Sequence, residues 1–129
     1  NKFVINYFLN KSLHRSNGPA IIEYYNDMSL YKELYFQNGK EHNINRPAII
    51  EYYNNGNINK ELSFQNGKIH RLDGPAIISY LSNGNVEAEE YWYNDTIHRL
   101  DGPAIIKYYK NDKIKLKEYF QNGTKISEI

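Results

Sequence analysis

The chain has 129 residues, a formal net charge of +1 and no cysteine. That length fits one domain or one stretch of a repeat array. The charge offers no global field for nucleic acid or an anionic membrane, and disulfides are excluded.

Residues 1–13 read as the second half of a repeat, with Tyr7-Phe8 matching Tyr35-Phe36. His14-Arg15-Ser16-Asn17-Gly18-Pro19-Ala20 opens the first full repeat, 14–41. Repeats 42–69, 70–97 and 98–125 follow, opened by His42, His70 and His98 at a constant period of 28, and 126–129 form a tail. A fixed period of this size marks a repeat architecture, so 1–129 reads as a single repeat domain. Within 42–69, Pro47 to Tyr53 is β-branched and aromatic, which predicts a strand. Asn54-Asn55-Gly56-Asn57 predicts a hairpin turn, Ile58 to Phe64 the return strand, and Gln65-Asn66-Gly67-Lys68 a second turn. The other repeats keep this plan, with degraded turns at Asp27-Met28, Asn111-Asp112 and Asn94-Asp95.

The copies also report the faces. Ala20, Ile22 and Tyr24 recur unchanged in every repeat and share one parity, so they line one side of their strand. The other side carries Glu23, Glu51, Ser79 and Lys107, which vary as a solvated position does, beside Ile21, Ile49, Ile77 and Ile105. On the return strand, counting by twos puts Leu30 and Leu34 on one side. An isolated hairpin is marginal in water, and stacking copies buries like against like. The expected fold is all-β: an elongated antiparallel β-meander of hairpin repeats in a single-layer twisted sheet. A closed barrel or sandwich is the competing architecture.

The pattern Y-x-N-G-x-x-x-x-E-x-x-F-x-N-G-K, from Tyr53 to Lys68, resembles the MORN (membrane occupation and recognition nexus) repeat in a variant form. The flanking H-R-x-D-G-P-A resembles repeat proteins of giant DNA viruses of amoebae. The standard repeat is shorter, richer in glycine and starts Y-x-G, which is absent here. The resemblance implies a scaffold or contact surface and, through the family name, a membrane lipid as a further partner class.

Four histidines in register invite a metal. Equivalent residues lie at least two strands apart, about 10 Å, and no two rungs can share an ion whose ligands sit ~2 Å away. His14, His42, His70 and His98 are therefore expected to bond backbone groups in the crossing loop, with Asp73 and Asp101 shaping its turn. His, Arg and Asp together suggest acid–base work, but the set repeats along a surface, where an enzyme needs one constellation in a pocket. No catalytic, metal-binding or cofactor-binding residue is expected. Arg46 replaces the motif glycine, which reads as drift. Lys107, Lys110, Lys113, Lys115 and Lys117 read as protection of a terminal edge.

No apolar run approaches the ~20 residues that span a bilayer. Asn1-Lys2-Phe3-Val4 lacks the apolar region of a signal peptide. The expected setting is the cytoplasm, including the host-cell cytoplasm or the virion of a giant virus. The expected function is a non-enzymatic structural or protein-interaction module. Its partner would be another protein or a second copy, and neither nucleic acid nor a small-molecule substrate. Ile21, Tyr25, Ile49, Tyr53, Ile77, Ile105 and Tyr109 form the candidate contact face. The rival reading is a module that takes lipid headgroups or carbohydrate in an aromatic groove.

Overall fold

The structure, a computed structural model, describes residues 3–127. Strands β1 (Phe3–Asn6), β2 (Phe8–Leu9) and β3 (Ser12–Leu13) precede the first full repeat. That repeat is a long hairpin, β4 (Ile21–Tyr24) with β5 (Leu30–Leu34), and a short one, β6 (Phe36–Gln37) with β7 (Lys40–Glu41). The second repeat holds β8 (Ile49–Tyr52), β9 (Ile58–Leu62), β10 (Phe64–Gln65) and β11 (Lys68–Ile69). The third holds β12 (Ile77–Tyr80), β13 (Val86–Glu90), β14 (Trp92–Tyr93) and β15 (Thr96–Ile97). In the last, β16 (Ile105–Tyr108) pairs with β17 (Ile114–Gln121), which runs on without a break to pair with β18 (Thr124–Ile126).

The long hairpins form one antiparallel sheet of ten strands, in the order β1-β4-β5-β8-β9-β12-β13-β16-β17-β18. There is no helix and no barrel closure among the described residues. The sheet is an open meander, about 45 Å across at 4.8 Å per strand. Its exposed area of 8098 Å² exceeds the roughly 7,100 Å² of a compact monomer of 15.2 kDa, as a single layer requires. The short hairpins project from one end of the sheet, and backbone bonds tie each to the one before. Gly39, Gly67, Asp95 and Gly123 donate N–H to Leu13, Glu41, Ile69 and Ile97 at 2.8–2.9 Å.

The two turn types differ. In the short turns both central residues have positive φ, as at Asn38 (51°) and Gly39 (79°), the mirror-image turn that Asn-Gly favours. In the long hairpins only the third loop residue is left-handed: Gly56 (91°), Gly84 (96°), Met28 (69°) and Asp112 (67°). The loop is thus three residues long, and Asn55 Oδ1 caps it by accepting from the Asn57 N–H at 2.9 Å.

Each long hairpin also carries a bulge. Glu23 faces Lys32 but Tyr24 faces Leu30, leaving Tyr31 as an extra residue. The extra residues in the next three hairpins are Asn59, Glu87 and Lys115. Counting by twos along the return strand therefore fails. Leu30 shares the face of Tyr24, whereas Leu34 shares the opposite face with Ile21. On that second face Glu23, Lys32, Glu51 and Lys60 form a ladder of alternating charge, with Lys32 Nζ 2.9 Å from Glu51 Oε1. At Glu51 the variable position is therefore a half-buried ion-pair site, whereas Lys107 at the same position is exposed.

The most enclosed positions are small. Ala20, Ala48, Ala76 and Ala104 are at most 1 % exposed, and Phe64 is the one large apolar side chain that joins them among the described residues. Each alanine stands where a loop enters the sheet. Its N–H donates to the carbonyl of Leu34, Leu62, Glu90 or Glu118, and its carbonyl accepts from Tyr7, Tyr35, Ser63 or Tyr91. Strand pairs on both sides leave no room for a larger Cβ substituent.

Candidate functional site

The motif loops stand in a row along one end of the sheet. His14, His42, His70 and His98 each accept, at Nδ1, the backbone N–H of Asn38, Asn66, Asn94 or Asn122 at 2.9–3.1 Å. The acceptor Nδ1 places the ring hydrogen on Nε2. Each histidine thus reaches forward and holds the first residue of the next short turn in its left-handed conformation. No group of three or more histidine, aspartate or glutamate side chains among the described residues is placed to hold a metal ion.

Arginine closes the loop from within. Arg71 Nη1 donates to the Pro75 carbonyl at 3.1 Å and Arg99 Nη1 to that of Pro103 at 3.1 Å. Their Nε atoms meet Asp73 and Asp101 at 2.9 and 3.2 Å. The hydrogen bond from Arg71 and its charge hold the Asp73 carboxyl below the usual carboxylate range. Asp73 and Asp101 are exposed, so these pairs orient the guanidinium more than they stabilise the fold. The motif glycine leaves space for the guanidinium. A Cβ at Gly74 or Gly102 would stand 3.0 Å from the guanidinium carbon of Arg71 or Arg99.

Repeat 42–69 departs in two linked places. Asn43 replaces the arginine, and Arg46 replaces the glycine. With the guanidinium gone a Cβ fits at 46, and Asn43 Nδ2 donates to the Pro47 carbonyl at 3.1 Å in its stead. Asn45 moves to φ 59°, a shape the other loops do not take. Arg46 thus sits in a loop that has taken another shape, with Asn43 making the bond to the proline carbonyl that arginine makes elsewhere.

A tyrosine column lies beside the arginines. Positions 7, 35, 63, 91 and 119 hold Tyr, Tyr, Ser, Tyr and Tyr. Arg15 stacks over Tyr7 at 4.0 Å and Arg99 over Tyr91 at 3.9 Å. Arg71 has Ser63 where that ring would be, and its side chain is 38 % exposed against 25 % for Arg99. Notches open between consecutive loops, and the central one, of about 680 Å³, reaches past Ser63 to Glu61, Ala76 and Ile78. Aligning the copies by the period exposes this substitution, but it carries no motif of its own.

On the sheet, a second ladder is built from tyrosine and glutamate. The hydroxyls of Tyr52, Tyr80 and Tyr108 donate to Glu33, Glu61 and Glu89 of the preceding long hairpin. Burial first, then the bond to the glutamate, holds Tyr52 and Tyr80 well above the ordinary tyrosine range. The bond to Glu89 comes first for Tyr108, which is pushed up to about 12. These hydroxyls keep their protons at neutral pH and act as donors.

The contact-face residues divide into two groups. Ile21, Leu34, Ile49, Leu62 and Ile77 face one another in unbroken register across five adjacent strands, all half-buried. The row continues through Glu90, Ile105 and Glu118. The tyrosines are tied into the fold: Tyr25 and Tyr53 donate to the carbonyls of Tyr52 and Tyr80 at 2.6 Å. Tyr109, in the last hairpin, is 53 % exposed. Lys115 and Lys117 lie on the part of β17 that pairs on one side only, so they do line a sheet edge.

No protein-family model, curated protein or solved structure matches the chain.

Proposed function

We propose that the chain is a non-enzymatic repeat module that presents one face of its sheet to another protein, with a second copy of the chain as the first such partner. The observation that carries this reading is the aliphatic row Ile21-Leu34-Ile49-Leu62-Ile77 in a sheet with no second layer among the described residues. A contiguous apolar stripe on a single layer is the kind of surface that association covers. A two-fold axis lets such a stripe match itself. The flanking ladder Glu23-Lys32-Glu51-Lys60 supplies alternating charges that fix register in an antiparallel match. The resemblance to MORN-type and giant-virus repeats agrees with a scaffold role.

The fold itself supplies the test. Glu90 and Glu118 occupy the positions equivalent to Leu34 and Leu62, so glutamate there is compatible with the sheet. The double variant Leu34→Glu/Leu62→Glu should keep the β spectrum and lose the proteins that the wild type captures in a pull-down. Capture unchanged by the double variant would reject this face.

A further inference from the structure

We propose that the central notch is a binding site for a phenolic ring, which enters beneath Arg71 and takes the place of the tyrosine missing at position 63. Four of the five residues in this column are tyrosine, and Ser63 is the exception. Where both partners are present, guanidinium and ring are 3.9–4.0 Å apart, a cation–π stack. Arg71 keeps the same anchors as Arg99, to its proline carbonyl and its aspartate, so its guanidinium is held in stacking position over an unfilled space.

The chemistry of the walls selects the ring. Its upper wall is the flat cation of Arg71, which favours a π face over a saturated ring. Ala76 and Ile78 are apolar. Glu61 is a carboxylate that accepts from Tyr80 and has further acceptor capacity. A ring with a hydroxyl donor at its far end fits all three. The notch lies on the face opposite the Ile49–Leu62 row, since Ile78 pairs with Glu61 and Ile77 with Leu62. It therefore stands or falls independently of the sheet-face reading.

The test is a titration of the full chain with p-cresol, the tyrosine side chain in isolation, followed by amide chemical shifts. We expect saturable shifts at Glu61, Ser63 and Arg71, with a Kd on the order of 1 mM for so small a ligand. 4-Methylcyclohexanol, of the same size without the π face, should bind at least tenfold more weakly. Ser63→Tyr restores the residue of the other copies; it should abolish binding and raise the thermal midpoint. Arg71→Asn, the pair that Asn43 already makes, should fold and weaken binding about tenfold. N-acetyltyrosinamide binding more tightly than p-cresol would support the site as one for a partner's tyrosine, and the reverse order as one for a free phenol. Absence of saturable shifts, or undiminished binding to Ser63→Tyr, overturns the proposal.

Discussion

Asn43 and Arg46 show how two neighbouring positions can change together. A Cβ at Gly74 would stand 3.0 Å from the Arg71 guanidinium carbon, so the arginine would have to give way by a few tenths of an ångström. Asn43→Arg alone should therefore destabilise, and Asn43→Arg/Arg46→Gly should recover the loss. A double-mutant cycle by urea denaturation should give a coupling of about 1–2 kcal/mol, and an additive cycle would refute the link. Met28 is a second residue out of place, held at φ 69° where Gly56 and Gly84 sit. A left-handed residue with a Cβ costs roughly 1–2 kcal/mol, partly offset by the greater unfolded-state entropy of glycine. Met28→Gly should raise stability by up to about 1 kcal/mol in the same assay, and a loss would mean that the turn does not store this strain.

At the scale of the repeated element, the strands, the Asn-Gly turns and the constant period were legible because they depend on local residue types. The invariant alanines were visible as one side of a strand, but their enclosure was not, since it comes from loops entering between paired strands. The bulge at Tyr31 was hidden because the extra position holds Tyr, Asn, Glu or Lys and leaves no residue signature. It reversed the face of Leu34 relative to Leu30. The role of the motif glycine was also hidden, because glycine reads as a turn residue and here makes room for a guanidinium. The Tyr–Glu ladder makes the stability of the repeats depend on pH. Folded-state values for Tyr52, Tyr80 and Tyr108 are raised, so their stabilisation is whole below the unfolded value of about 10 and is lost as pH climbs through the folded values. Tyr80→Phe should cost about 1–2 kcal/mol at neutral pH, and its deficit should shrink as pH rises above about 10. Thermal melts of both proteins across that range would show it, and a constant deficit would place the cost elsewhere.

The described residues form a sheet with no second layer over either face. Its two edges are unlike. β1 lines one with exposed Phe3, Val4 and Ile5, while Lys115 and Lys117 line the other. Lysine on an edge discourages further strand pairing there, whereas β1 carries no lysine among Phe3–Asn6. Of the two faces, that of Ile49, Leu62 and Ile77 carries the continuous aliphatic row, and the opposite one carries the Tyr–Glu ladder and the notch above Glu61. Sedimentation equilibrium reads whether the aliphatic row meets another copy of itself. The wild type should show a mass near twice the monomer value of 15.2 kDa, and Leu34→Glu/Leu62→Glu the monomer value. A wild type that remains at 15.2 kDa over the full concentration range, or a double variant that keeps the dimer mass, would contradict it.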